Sequence, residues 1–142
     1  MEMDTTLPWR DIQGTGFNAH IGPIRFADAG AGRYCAALEL RAFHLNVGGV
    51  CHGGVLLAFA DTAMGTATFS AAGGEPCATI DLDAHFLAAA KQGQTLMAEA
   101  RQLRSVRGLS FMTCDIHAGG RQVMRANGIW KYLETGRSAL PR

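Results

Sequence analysis

Asp61 is the only charged residue between Arg41 and Glu75, and it lies within a run of about twenty small or apolar residues. A run of this length without strand-like alternation predicts a helix. Apolar side chains occur on every side of it, so we expect the helix to be buried all round. A buried carboxylate is costly unless other groups compensate it. Asp61 is therefore either satisfied structurally, by capping a neighbouring loop for example, or kept for chemistry.

A glycine-rich turn ending in His52-Gly53-Gly54 comes immediately before this run. If the helix begins near Gly53, its first N–H groups lack partners within the helix, and the helix dipole favours negative charge there. Glycine also lets a substrate approach the backbone closely, so the Gly53 N–H could donate to a developing oxyanion. His52 is explained equally well by a hydrogen bond that fixes the loop.

Composition limits the classes of protein and partner. Hydrophobic residues make up 48% and charged residues 18% of the 142 residues, which is typical of a globular chain. We predict one domain over residues 1–142, with a core at about 17–134 and a flexible tail at about 136–142. The formal net charge of +1 gives no bulk field that would favour nucleic acid or a membrane surface as a partner.

Cysteine and histidine spacing gives no sign of a metal site. The four cysteines form no C-x-x-C pair and the histidines show no ligand spacing, so we predict no metal and no cofactor. The first nine residues are acidic and polar and read as no export signal, so we predict a cytoplasmic protein with reduced thiols. The Asp61 run also reads poorly as a membrane span, because it contains a carboxylate and three threonines and has no basic flank.

Two segments before the helix and four after it have the pattern of β-strands. Along residues 77–88 the alternation puts Ala78, Ile80 and Leu82 on one face and Thr79 and Asp81 on the other. One helix can be covered all round only if a sheet curls about it, so the fold class is α+β, with an antiparallel sheet wrapped around one long central helix. The predicted strands are 17–26, 33–41, 77–88, 94–104, 109–117 and 121–133.

This order of elements, together with Asn46, the His52-Gly53-Gly54 triplet and Asp61, resembles the hotdog-fold acyl-CoA thioesterases of the PaaI type. The asparagine precedes the histidine by six positions and the acid follows it by nine, which is more specific than a bare His-Gly-Gly. The resemblance covers roughly residues 17–134. It implies hydrolysis of an aryl- or medium-chain acyl-CoA to a free acid and CoA.

The resemblance also implies roles for the residues of the motif. Asp61 would be general base or nucleophile, at a site whose Gly53 belongs to the other subunit of a dimer. Asn46 would orient water or the thioester carbonyl, His52 would hold the loop or bind near the thioester, and Thr79 would orient Asp61 or water. The active sites would lie at the dimer interface of a homodimer or, as we prefer, a homotetramer.

Phosphate groups of CoA need cationic partners. Arg104 and Arg107, near one strand turn, are the strongest candidates, followed by Lys91, while Gly54 would also contact the substrate. Each basic residue taken alone is more readily explained as a solubilising surface charge.

Two other functions use the same fold. An acyl-CoA hydratase or dehydratase would use a His–acid pair and carries a proline-rich segment after the histidine, whereas Gly53 and Gly54 follow His52 here. A non-catalytic acyl-CoA binding protein would keep the fold and lose the chemistry, against which the intact motif argues.

Overall fold

A long helix lies against one face of a seven-stranded antiparallel sheet in the computed structural model, which describes residues 3–133. The helix packs against β2 to β7, so the sheet curls around it as predicted. The strand order across the sheet is β1-β2-β3-β5-β6-β7-β4, which leaves β1 and β4 as the two edges. The elements are β1 (Arg10–Asp11), α1 (Phe17–Ile21), β2 (Arg25–Gly30), β3 (Arg33–Glu39), a 3-10 turn (Ala42–His44), α2 (Gly53–Ala71), β4 (Cys77–Phe86), β5 (Thr95–Val106), β6 (Leu109–Ala118) and β7 (Arg121–Tyr132).

The predicted central helix is confirmed at both ends. It begins at Gly53 and ends at Ala71, and Gly73 and Gly74 follow with φ of 69° and 98°, a backbone conformation that favours glycine. No helix among residues 3–133 has the length and apolar character that crossing a membrane requires.

The expectation that this helix is buried all round is wrong for the single chain. One side packs into the core, but Phe69 is 42% exposed, and Asp61 and Gly65 are only partly covered. The physical reason is that the sheet does not close. Its two edges, β1 and β4, leave a strip of α2 uncovered between them.

The first predicted strand, 17–26, is also wrong in its first half. Residues Phe17–Ile21 form the short helix α1, and strand β2 begins only at Arg25, after the break at Gly22-Pro23. The hairpin with the next strand is confirmed, because β2 and β3 pair antiparallel around a turn at Gly30–Gly32. Strand β1 was not predicted. It has two residues, too few to leave an alternating pattern.

The four strands after the helix are confirmed with shifts of a few residues at their ends. The register predicted for β4 is wrong in its first part, because a bulge at Ile80 interrupts the alternation: Thr79 pairs with Trp130 and Asp81 with Ile129. Thr79 therefore faces the helix, on the same side as Leu82. The extra residue, Ile80, is 57% exposed.

The predicted domain boundaries remain predictions. The sheet begins earlier than the expected core, at Arg10 rather than near residue 17. Residue 134 and the predicted tail at 136–142 lie outside the described residues.

Candidate active site

The start of α2 carries the His-Gly-Gly triplet in a defined geometry. His52 is the N-cap residue, and its Nδ1 accepts a hydrogen bond from the Gly54 N–H at 2.8 Å. The N–H groups of Val55 and Leu56 donate to the His52 carbonyl at 2.9 and 3.3 Å. Among residues 3–133 the Gly53 N–H has no acceptor. It is the one donor of the first helical turn left for a ligand.

Gly53 is also close to an aromatic ring. A methyl group added at Gly53 would lie 3.3 Å from Cε1 of Phe86, the last residue of β4, whose side chain is 53% exposed. A methyl group at Gly54 would lie 2.9 Å from Nδ1 of His52 and would crowd the cap. At both positions the absence of a side chain lets a ring come close to the backbone: Phe86 at Gly53 and His52 at Gly54.

Asn46 fastens the loop that leads into the helix. Its Oδ1 accepts hydrogen bonds from the N–H groups of Gly48 at 2.9 Å and Val50 at 3.3 Å. The loop is tied to the rest of the fold where the Cys51 N–H donates to the Ala90 carbonyl at 2.8 Å. The side-chain oxygen of Asn46 is thus already used in ordering the loop.

Asp61 lies in the middle of the helix and is held from the neighbouring strand. Oγ1 of Thr79 donates to Oδ1 of Asp61 at 2.7 Å, within the usual range for a hydroxyl–carboxylate hydrogen bond. The bulge at Ile80 makes this contact possible, because it turns Thr79 towards the helix. Among the described residues the other carboxylate oxygen of Asp61 makes no hydrogen bond.

The uncovered strip of α2 forms a cleft of about 590 Å³, called the Asp61 cleft below. The helix provides its floor and the two sheet edges provide its walls. It is lined by Asp61, Thr62, Gly65, Thr66 and Phe69 of α2; by Pro76, Cys77, Thr79 and Trp130 on the β4 side; and by Arg10, Ile12, Gln13 and Asn18 on the β1 side.

Trp130 forms the inner wall of this cleft, and the sequence did not single it out. Its ring reaches from β7 to the helix: methyl groups added at Gly128 and Gly65 would lie 2.5 and 3.1 Å from opposite edges of the indole. Two glycines on different elements therefore make room for one buried ring. A tryptophan in a strand pattern gives no sign that it lines a site.

The Gly53 N–H and the Asp61 carboxylate do not form one site within a single chain. They are eight residues apart on the same helix, or about 12 Å at the rise of an α-helix. Gly53 does not line the Asp61 cleft. Within one chain, a thioester that accepts a hydrogen bond from the Gly53 N–H is therefore out of reach of the Asp61 carboxylate.

The basic residues predicted to bind phosphate are not one cluster. Lys91 lies just before β5, beside the start of α2, whereas Arg104 and Arg107 lie at the far end of the same 12-residue strand. Arg104 is within β5, opposite Phe111, and Arg107 is in the following turn with φ of 54°.

The cysteines offer no thiolate nucleophile. Burial raises the pKa of the Cys114 thiol to about 12 and that of the Cys51 thiol to about 11. Burial and, secondly, the negative charge of Asp61 raise the pKa of the Cys77 thiol in the cleft. These thiols stay protonated at neutral pH, so Asp61 is the stronger candidate for the attacking or proton-accepting group.

Fold and motif together define a hotdog-fold hydrolase. Residues 48–125 match the family model of the thioesterase superfamily, and the chain belongs to that superfamily. The predicted resemblance, the hotdog fold and the class of thioester hydrolase are thereby confirmed.

Individual relatives are similar to the chain at 24–30% identity. A protein of Pseudomonas aeruginosa is 30% identical over 78% of this chain and 83% of its own length. It is named as a provisional esterase. Acyl-coenzyme A thioesterase 13 of Homo sapiens is 24% identical over 70% of this chain and 71% of its own length.

Solved structures are similar in fold. The PaaI protein of E. coli, from the phenylacetic acid degradation operon, superimposes with a TM-score of 0.75 at 24% identity, covering 82% of this chain and 83% of that protein. A hypothetical thioesterase of Streptococcus pneumoniae, solved with coenzyme A, gives a TM-score of 0.71 at 23% identity and covers 82% of this chain and 91% of its own.

Proposed function

We propose that the chain hydrolyses the thioester of an aryl- or medium-chain acyl-CoA, with Asp61 as general base or nucleophile and the Gly53 N–H as oxyanion donor. The observation that carries the proposal is the hydrogen bond from Thr79 to Asp61 at the floor of an open cleft. It fixes one carboxylate oxygen of Asp61 and leaves the other free to accept a proton or to attack a carbonyl carbon. Thr79 is thus a positioning residue for the acid.

Two routes fit a carboxylate held in this way. As a general base, Asp61 takes a proton from water while the water oxygen attacks the thioester carbon. As a nucleophile, a carboxylate oxygen attacks that carbon itself, forming an anhydride that water then cleaves. In both routes the carbonyl oxygen becomes an oxyanion that the Gly53 N–H can stabilise, and the carbon–sulfur bond breaks to release CoA as a thiolate.

The site is proposed to form between two chains, with Asp61 of one next to Gly53 of its partner. The separation of about 12 Å between them in one chain supports this arrangement. The edge strand β4 supports it as well, because its unpaired side carries exposed apolar residues, Ile80 and Phe86, and Leu87 follows. Unpaired apolar edges are what subunit contacts cover. A homodimer, or a homotetramer built from it, is the proposed assembly.

Acyl-CoA as the substrate is supported by the names of two similar proteins, one an acyl-coenzyme A thioesterase and the other solved with coenzyme A. For the phosphates we propose Lys91, beside the start of α2, and Arg104 with Arg107 at the other end of β5. All three are exposed. Gly54, whose backbone adjoins Gly53, is proposed to contact the substrate near the thioester. The cytoplasm, where acyl-CoA and free thiols occur together, is the proposed compartment.

His52 argues for hydrolysis over hydration or dehydration. A hotdog hydratase would use the histidine as a base, but Nδ1 of His52 already accepts the Gly54 N–H at 2.8 Å, which puts the proton of the neutral ring on Nε2 and leaves no free nitrogen to accept another. Asn46 is likewise proposed to act mainly by shaping the loop that presents Gly53, since its Oδ1 accepts two backbone N–H groups.

The test is a panel of purified acyl-CoA thioesters, including aryl, short-, medium- and long-chain acyl groups, with release of free CoA thiol as the readout. The proposal expects turnover of aryl or medium-chain members above the uncatalysed rate. Binding without release of thiol from any member would support a non-catalytic acyl-CoA binding protein instead.

A further inference from the structure

Arg10 brings a positive charge into the Asp61 cleft from an element that sequence reasoning did not anticipate. It lies in the edge strand β1, opposite Phe26, and its guanidinium carbon is 5.2 Å from the centre of the Phe26 ring. Phe26 belongs to the core under the sheet, so Arg10 points to the helix side of β1. Stacking on an aromatic ring holds a guanidinium in place while leaving its N–H edge open.

This guanidinium has no anionic partner in the chain from residue 3 to 133. The ion pairs there join Arg33 to Glu99 at 3.0 Å and Arg125 to Asp115 at 3.3 Å, on other parts of the sheet. The other charged residue lining the cleft is Asp61, which Thr79 holds. The cleft is therefore bipolar, with one carboxylate and one unpaired cation.

Asn18 adds further donors to the same wall. Its Oδ1 accepts a hydrogen bond from Oγ1 of Thr62 at 3.1 Å, and it lines the cleft. The amide N–H₂ group of Asn18 makes no hydrogen bond within residues 3–133, so its two donors are open to a ligand. A wall of guanidinium and amide donors suits a ligand group that carries acceptor oxygens and negative charge.

We propose that Arg10 binds an anionic oxygen group of the substrate while the neutral thioester lies at Asp61. This inference rests on the proposed function. The group is either a carboxylate on the acyl chain, as in the monothioester of a dicarboxylic acid, or a phosphate of CoA. Both present oxygens that a guanidinium can bind in a bidentate manner, and both are repelled by Asp61, which orients the substrate along the cleft.

Arg10→Met tests the charge while keeping an unbranched side chain on Phe26, and Arg10→Lys restores a charge. Arg25→Met is the matched control, because Arg25 also stacks on a ring, that of Trp9 at 5.5 Å, on the adjacent strand, yet it does not line the Asp61 cleft. Steady-state kinetics of all four proteins are measured on three thioesters: the CoA thioester of an uncharged acyl group, the neutral thioester of the same acyl group with pantetheine, and an ω-carboxyacyl-pantetheine.

Arg10→Met is expected to raise KM about tenfold for a substrate whose anion it binds, with a smaller change in kcat, since the anion it binds takes no part in the reaction at the thioester. A rise for the acyl-CoA alone identifies a phosphate, and a rise for the ω-carboxyacyl-pantetheine identifies an acyl carboxylate. In either case Arg10→Lys is partly restored, Arg25→Met is unchanged, and added salt raises KM of the parent more than that of Arg10→Met.

The same KM in parent and Arg10→Met for both anionic substrates would overturn the inference, and so would an equal loss on all three thioesters, which would indicate a structural role. Either result still leaves the parent turning over the neutral thioester. If the parent releases no thiol from any thioester, the proposed function itself has failed.

Discussion

At the scale of single residues, the proposed chemistry depends on one carboxylate whose two oxygens have different surroundings. Oδ1 of Asp61 accepts the Thr79 hydroxyl at 2.7 Å, and among residues 3–133 the second oxygen makes no hydrogen bond. The Cys77 thiol in the same cleft is kept protonated by burial and by Asp61. Reactivity in the cleft is thus concentrated on one oxygen of one side chain.

Asp61→Asn is expected to lower kcat for acyl-CoA hydrolysis by on the order of a hundredfold or more, because an amide is nearly isosteric but neither accepts a proton nor attacks a carbonyl. Thermal unfolding followed by circular dichroism should give a melting temperature close to that of the parent, since Asp61 is only partly buried. Normal turnover by a folded Asp61→Asn protein would make the carboxylate structural.

Thr79→Val removes the hydroxyl that holds Asp61 and keeps the branched shape of the strand residue. Loss of a hydrogen bond to a charged group predicts a fall in kcat of about tenfold, and Thr79→Ser, which keeps the hydroxyl, should recover most of it. Equal activity of the valine and serine variants would show that Asp61 needs no positioning by residue 79.

At the scale of elements, the start of α2 is built to leave one backbone donor unpaired. The His52 side chain and carbonyl occupy the N–H groups of Gly54, Val55 and Leu56, so only that of Gly53 is left among them. Gly53 is the first helical residue, and His52 before it is extended, with ψ of 134°. Proline is well tolerated as the first residue of a helix, and it favours an extended residue before it, so position 53 can accept proline.

Gly53→Pro therefore deletes the proposed oxyanion donor without breaking the helix. We expect kcat to fall by about a hundredfold, as when an oxyanion donor is removed elsewhere, while the helical signal in circular dichroism is retained. Gly53→Ala is the matched control, because it keeps the N–H and adds the methyl group that meets Phe86 at 3.3 Å. If alanine impairs turnover as much as proline, crowding and not the lost N–H is the cause.

The elements also divide what the sequence could predict from what it could not. The central helix and the strands around it follow from local signals: a change of period after Gly74, and glycine turns such as Gly119-Gly120, both with positive φ. The bulge at Ile80 does not follow from a local signal, because the alternation along β4 fits the sequence equally well with and without one extra apolar residue. The family resemblance singled out Thr79, but the alternation assigned it to the wrong face of the strand.

At the scale of the whole molecule, the sheet wraps the helix without closing. The open seam between β1 and β4 creates the Asp61 cleft, and it puts exposed apolar residues, Phe69, Ile80 and Phe86, along one side. How far a sheet curls depends on contacts between strands that are distant in sequence. Local sequence patterns do not report those contacts, and for this reason the prediction of a helix buried all round was wrong. In the proposed dimer the partner supplies the missing cover and the missing Gly53.

The most direct test of this account is complementation between two inactive chains. Asp61→Asn retains Gly53, and Gly53→Pro retains Asp61, so a mixed dimer contains one site with both groups intact and one site with neither. The two variants are co-expressed with different tags, mixed dimers are isolated by both tags in turn, and release of CoA thiol is measured. Each variant alone serves as the control.

The account predicts that mixed dimers regain about half of the parental activity per dimer, because one of the two sites shared across the interface is complete. If Asp61 and Gly53 of the same chain worked together, every site in the mixed dimer would lack one of them. Mixed dimers no more active than either variant alone would contradict the shared site.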